Sequence, residues 1–241
     1  MTPDPPSISG LLVLDKPRTF TSMDACAVIR ARFRRGGAPK SMKVGHGGTL
    51  DPLATGVLVM LVGRQATRLS DTIMAGEKRY LAEVDLAHVS NTDDYEGLVE
   101  KIETAEPPTH AQIEQTLKNF IGDVLQAPPA HSAVWIGGRR AYELAREGAD
   151  PKMAQRTITI HSIAITRYEW PILELDVRCA KGVYIRSLAR DLGAALGVGG
   201  MLSNLRRTRV GEFTIENAVT LDSLPDVLTQ AELLPVPTPS V

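Results

Sequence analysis

Gly45-His-Gly-Gly-Thr-Leu-Asp51-Pro-Leu-Ala-Thr-Gly56-Val-Leu-Val-Met-Leu-Val62 is the most informative stretch of the chain. It opens with three glycines in four residues. Glycine loses more freedom on ordering than any other residue, so such a cluster marks sharp backbone bends or a closely approaching ligand. A single carboxylate, Asp51, follows and is fixed from behind by Pro52. The loop lacks the terminal Gly-Lys-Ser/Thr of a phosphate-cradling loop, and its glycine spacing differs from a dinucleotide fingerprint. Asp51 could still be no more than a cap on the next element. Val57–Val62 then reads as a buried strand, closed by Gly63.

Working outward, Gly10–Leu14 reads as a strand ending at the turn Asp15-Lys16-Pro17. Thr21 or Ser22 caps a helix with Cys26, Ile29 and Phe33 near one face. Residues 35–43 read as a basic, flexible loop. In 79–87, Tyr80, Ala82, Val84 and Leu86 alternate with Glu83 and Asp85, the pattern of a half-buried strand. Residues 90–97, SNTDDYEG, form a polar turn. Thr109 and Gln112 form a capping box for a helix carrying Ile113, Leu117, Phe120 and Ile121. Residues 126–138 read as a long loop and 140–147 as a short helix. Strands follow at 157–168 and 172–179, then a turn at Lys181-Gly182. Ile185, Leu188, Leu192 and Leu196 mark a last helix. The proline-bearing tail from Leu233 is expected to fray. The fold class is α+β, with a central mixed, largely antiparallel sheet flanked by helices and a basic cleft across it.

Composition narrows the function. Two cysteines, Cys26 and Cys179, cannot build a disulfide framework or a four-thiolate metal site. The five histidines form no HxxxH or HxH pair, so no zinc or other metal site is expected. No apolar run is long enough to cross a bilayer, and MTPDPPS lacks the pattern of a secretory signal, so a cytoplasmic protein without membrane contact is expected. The net charge of −1 hides local basic runs: Arg30, Arg32, Arg34, Arg35, Lys40 and Lys43 without an intervening acid, then Arg139-Arg140, then Arg206, Arg207 and Arg209. A near-neutral chain can thus still offer phosphates a basic face, although the same charges also suit ordinary solvated surfaces.

GHGGTLDPLATGVL resembles the signature loop of the TruB family of pseudouridine synthases. Gly10-Leu-Leu-Val-Leu-Asp-Lys-Pro17 resembles that family's opening strand, Lys78-Arg79-Tyr80 its second motif, and residues 90–97 a family turn. Residues 128–148, PPAHSAVWIGGRRAYELAREG, resemble the mobile insertion that closes on RNA. Lys181-Gly-Val-Tyr-Ile-Arg186 resembles the third active-site motif and Leu205-Arg-Arg207 the fourth. The motifs occur in family order over residues 10–221, which makes the resemblance specific. It implies a catalytic domain over 1–221 with an RNA-binding insertion at about 126–156.

The resemblance implies isomerisation of uridine to pseudouridine in RNA, usually uridine 55 of the tRNA T-loop, without a cofactor and by a monomer whose partner is the T-arm. One carboxylate serves, by adding covalently to base or sugar or by assisting glycosidic cleavage. Asp51 matches that carboxylate. It must be ionised to act as a nucleophile, and a closed pocket disfavours the charge, so a cationic partner is required. Arg186 matches the partner, and a guanidinium stays charged. Tyr80 matches the tyrosine that stacks on the target base, and Tyr184 a second pocket tyrosine; both residues also suit a core. Leu205 matches an apolar wall. His46 matches the histidine that helps hold the extruded base, through a flat and partly cationic ring. Lys16, Arg139, Arg140, Arg206 and Arg207 are the expected phosphate contacts.

Two departures stand out. The family glycine two residues after Asp-Lys-Pro is replaced by Arg18-Thr19-Phe20, which alters the expected turn. The twenty residues 222–241 are too few for the C-terminal PUA-type module of many relatives, so a short tail is expected there. Its lack argues against the guide-RNA-dependent relatives. Alternatives to the T-loop enzyme are a synthase for another RNA uridine, a non-catalytic RNA-binding or tRNA-folding protein, and a glycosidase. The last is disfavoured because that chemistry needs two flanking carboxylates.

Overall fold

The computed structural model describes residues 8–149 and 151–237. In chain order its elements are β1 (Gly10–Lys16), α1 (Ser22–Arg35), β2 (Val44–His46), β3 (Thr55–Val62), α2 (Gly63–Thr67), α3 (Ser70–Ala75), β4 (Lys78–Asp85), β5 (His88–Ser90) and β6 (Val99–Lys101). They continue with α4 (His110–Leu117), β7 (Gly122–Gln126), β8 (Trp135–Ile136), β9 (Arg139–Arg140), α5 (Ala141–Arg146), β10 (Arg156–Glu169), β11 (Ile172–Cys179), α6 (Ile185–Leu196), β12 (Met201–Val210) and β13 (Phe213–Thr214). The chain divides into two compact units, one built from residues up to Lys78 and from Arg206 onward, the other from Arg79–Leu205.

The first unit is organised around β3. One edge of β3 pairs antiparallel with β1, from Gly10 opposite Val62 to Lys16 opposite Gly56. Along its other edge β3 meets β2 in antiparallel register and then β12 in parallel, with Arg206 opposite Thr55 and Arg207 opposite Gly56. Every residue from Gly56 to Val62 is buried, as expected for a strand covered on both faces. Leu11, Val13, Val57, Val59 and Leu61 form one core with Ala66, Ile73 and Val210. Thr21 caps α1, accepting from the Asp24 N–H while the Asp24 carboxylate accepts from the Thr21 N–H.

The second unit holds β4 between β11 and the start of β12, with β10 and then β7 beyond β11. β10 pairs antiparallel with both β11 and β7. Tyr80, Ala82, Val84 and Leu86 are buried, as their alternation implies. The Arg79 guanidinium grips Asp176 of β11 at 2.5–3.1 Å. Antiparallel pairs dominate and β3–β12 is parallel, so the α+β reading holds. Among the described residues, no helix is long and apolar enough to cross a membrane.

Several expectations need correction. β12 was not foreseen at all. The 126–138 loop contains strand β8, which forms a hairpin with β9. α4 stops at Leu117 and passes into a short 3-10 turn, leaving Ile121 exposed. The tail does not fray at Leu233–Val236: Leu234 exchanges both backbone hydrogen bonds with Leu11 (2.8 and 2.9 Å), and Val236 packs on the β1–β3 core. Arginines of the basic run hold the segment that leads to that tail. Arg32 donates to the Leu221 and Leu224 carbonyls at 2.7 and 3.0 Å, and Arg35 to the Asp226 carbonyl at 3.2 Å. Residues 1–7, with the signal reading, and the last four residues lie outside the described part.

Gly56 shows how tightly β3 and β12 meet. Its φ is +100°, and a Cβ there would stand 2.2 Å from the Arg207 carbonyl oxygen. Gly56→Ala is expected to destabilise the protein by about 2 kcal/mol or more, combining left-handed strain with a backbone clash. Urea denaturation measures this, and a midpoint equal to wild type would contradict the packing described.

Candidate active site

The residues singled out by sequence fall into two groups. Lys16, His46, Asp51, Arg206 and Arg207 belong to the first unit. Tyr80, Arg139, Arg140, Tyr184, Arg186 and Leu205 belong to the second.

Asp51 is half-buried in the loop between β2 and β3, and its neighbours are bonded one after another. Gly47 donates to the Val59 carbonyl at 2.8 Å. A side chain at Gly47 would collide with Ile73 of α3, its Cβ 2.3 Å from Cγ2. Arg207 donates to the carbonyls of Gly48 (2.9 Å), Thr49 (3.2 Å) and Val57 (2.8 Å). The buried Ser22 hydroxyl both accepts from the Leu50 N–H at 2.9 Å and donates to the Leu50 carbonyl at 3.1 Å. The Lys16 ammonium donates to the carbonyls of Pro17 (2.9 Å), Phe20 (2.6 Å) and Pro52 (3.2 Å). The Ala54 N–H closes the turn on the Asp51 carbonyl at 3.1 Å.

This geometry corrects two of the expected phosphate contacts. Lys16 is 0% exposed and Arg207 2%, so neither offers its charge at the surface. A buried cation is tolerated only when its N–H groups are satisfied, and here backbone carbonyls of the glycine loop and its surroundings satisfy them. Both cations are structural braces. Arg206 is more exposed and pairs with Asp15 at 2.8 Å.

His46 ends β2, opposite Met60. Its Nδ1 is buried without a hydrogen-bond partner. Burial first, and the Arg207 charge second, hold the imidazole below its ordinary value. Both effects disfavour the protonated, cationic form of the ring relative to a free imidazole.

In the second unit, Arg186 is 5% exposed on the first turn of α6. Within this unit it donates to the carbonyls of Thr92 and His131, each at 3.0 Å, and stands 3.5 Å from the Asp94 carboxylate. Tyr80 and Leu205 are buried. Tyr184 precedes α6, with the Arg156 guanidinium 5.3 Å from its ring centroid. The Gln126 side chain grips the Tyr184 backbone twice, accepting its N–H at 2.9 Å and donating to its carbonyl at 3.1 Å. Arg139 is exposed and paired with Glu147 at 2.5 Å. Arg140 donates to the Ala133 carbonyl and lies over the Trp135 ring.

Sequence reasoning missed Ser22, Asp94 and Gln126 as positioning groups. Asp94 stood in view within SNTDDYEG, but short polar side chains in a turn rarely reveal which long-range partner they serve. Among the described residues, no group of three His, Cys, Asp or Glu side chains is placed to hold a metal ion.

Comparison with known proteins agrees with these motifs. Residues 35–185 match the model of the TruB family pseudouridylate synthase N-terminal domain, and residues 186–235 that of the tRNA pseudouridylate synthase B C-terminal domain. The tRNA pseudouridine synthase B of Parabacteroides distasonis is 39% identical over 220 residues, covering 91% of this chain and 93% of the relative. That of Corynebacterium diphtheriae is 44% identical over 225 residues, covering 90% and 72%. A crystal structure of a Cbf5-Nop10-Gar1 complex contains a chain similar in fold, with a TM-score of 0.67 and 32% identity over 89% of this chain. This chain spans 53% of that one.

The His46 environment makes a pH prediction. A folded-state value below the unfolded one, about 6.5, contributes stability that is fully present above that value and lost as pH falls through it. The urea midpoint of the wild type is expected to fall from pH 7 toward pH 5 more steeply than that of His46→Gln. Parallel pH profiles for the two proteins would contradict a fold that disfavours the protonated form of His46.

Proposed function

Since the chain belongs to the TruB family of pseudouridylate synthases, we propose that it converts uridine 55 in the T-loop of tRNA to pseudouridine, with Asp51 as the catalytic carboxylate. The observation that carries the reading is the bracing of the Asp51 loop. Gly48, Thr49, Leu50 and Pro52 each have a carbonyl bonded by a buried side chain. A plain capping aspartate needs no such support, whereas a reacting carboxylate gains from a fixed position.

The reaction breaks the bond from ribose to the base nitrogen, turns the base, and joins the ribose to C5. The proton lost from C5 is balanced by the one gained at the freed nitrogen, so no donor or oxidant is consumed. In this proposal Asp51 supplies the carboxylate, Arg186 a compensating positive charge, and Tyr80 a ring to cover the extruded uracil. Tyr184 and Leu205 wall the pocket. The flat ring of His46 suits a wedge that holds the base out of its stack and is not asked to move a proton. Arg139 and Arg206 remain the phosphate contacts of this proposal, with Glu147 and Asp15 moderating their charge.

Incubation with a tRNA transcript, followed by mapping of pseudouridine along the RNA, tests this directly. The wild type is expected to modify position 55. Asp51→Asn is expected to lose about 10³-fold or more of the rate while tRNA binding persists. Comparable turnover by Asp51→Asn removes the carboxylate role, and product at another uridine removes the T-loop assignment.

A further inference from the structure

The β8–β9 hairpin carries an aromatic group that the reaction above does not use. Trp135 is 61% exposed, although an indole of this size is ordinarily placed in a core or at an interface. It stands opposite Arg140 in the hairpin register, and the Arg140 guanidinium carbon lies 4.2 Å from the ring centroid. The guanidinium is fixed in turn by its bond to the Ala133 carbonyl. One face of the indole is therefore covered by a cation held in place, and the ring orientation is set before any ligand arrives.

The turn beyond it is Gly137-Gly138. Both have positive φ, and a Cβ at either would meet nothing within 4 Å. The tip is thus free of packing constraints. At the hairpin base, Ala141 and Tyr142 donate to the Val134 and Ser132 carbonyls at 2.8 and 3.0 Å, so the two flanks of the hairpin stay paired below the platform. Arg139, Arg140 and Arg146 outnumber Glu143 and Glu147 across 135–148, which favours an anionic ligand.

We propose that Trp135 is a stacking platform for an unpaired nucleobase of the RNA substrate, outside the reacting uridine, and so a substrate-positioning residue. A planar, fixed, solvent-facing ring backed by a guanidinium suits a base, since every base offers a π face. The assignment of Arg140 changes with it: its guanidinium orients the indole. The proposal rests on the chain acting on RNA, and its test separates the two.

The two tryptophans of the chain, Trp135 and Trp170, allow an optical assay. With Trp170→Phe as background, a synthetic T-arm stem–loop RNA is expected to quench Trp135 emission saturably. Trp135→Ala should raise the Kd for that RNA about 5- to 150-fold, and Trp135→Phe should recover most of the loss. Because stacking is uncharged, Trp135→Ala should leave the slope of log Kd against log salt concentration unchanged, whereas loss of a phosphate contact lowers it. Its thermal midpoint should match wild type, the side chain being exposed. Pseudouridine formation is followed in the same samples. Product formation by the wild type with no quenching, or a Kd for Trp135→Ala within about twofold of wild type, overturns the platform while the enzymatic reading stands. Quenching and weakened binding without any product would support the platform and defeat the enzymatic reading.

Discussion

The guanidinium of Arg207, buried beneath the glycine loop, donates to three backbone carbonyls, those of Gly48, Thr49 and Val57. The arrangement of the first unit depends on this contact. A planar group with several fixed donors is suited to reach three carbonyls on both sides of Asp51. The charge would be prohibitive to bury without them. Its backbone must also lie against β3, which is possible because Gly56 has no side chain in the way. Gly56 of β3 and Arg207 of the last long strand are thus two halves of one joint.

Lys16 repeats the device from the other edge of β3, reaching the Pro52 carbonyl just past Asp51. Ser22, from the first turn of α1, holds Leu50 between them. This explains in physical terms why sequence features far apart form an ordered set. Asp15-Lys16-Pro17, the glycine loop and Arg206-Arg207 converge on β3, and each supplies a partner that the others lack. The carboxylate of Asp51 is consequently set on a loop whose carbonyls are bonded before any substrate binds. On the proposed catalytic role of Asp51, preorganised placement of this kind removes the cost of ordering that carboxylate later.

Much of this was legible where local rules operate alone. The α1 and α4 capping boxes, the alternation in β4 and the apolar run of β3 all state their structure within a few residues. β12 was illegible because its inward positions include Ser203 and Arg207 beside Leu205, so a two-residue period of burial looks like a polar, basic segment. The same disguise made Lys16 and Arg207 look like surface charges for phosphates. Their burial depends on carbonyl partners that no local pattern announces. The tail was misread for a related reason. Its prolines suggested fraying, but Leu234 pairs with the free edge of β1 and Val236 adds to the core, contacts made with the opposite end of the chain.

Native-state amide hydrogen exchange at Leu50 and Ala54 tests the braced loop most directly, comparing wild type with Arg207→Lys under conditions where both are folded. Their N–H groups are bonded to Ser22 and Asp51. If the buried guanidinium holds the loop, both amides exchange slowly in the wild type and markedly faster in the variant, while β10 and β11 amides keep their rates. Exchange of Leu50 and Ala54 in the wild type at the rate of an open loop, or unchanged by the substitution, would contradict the account.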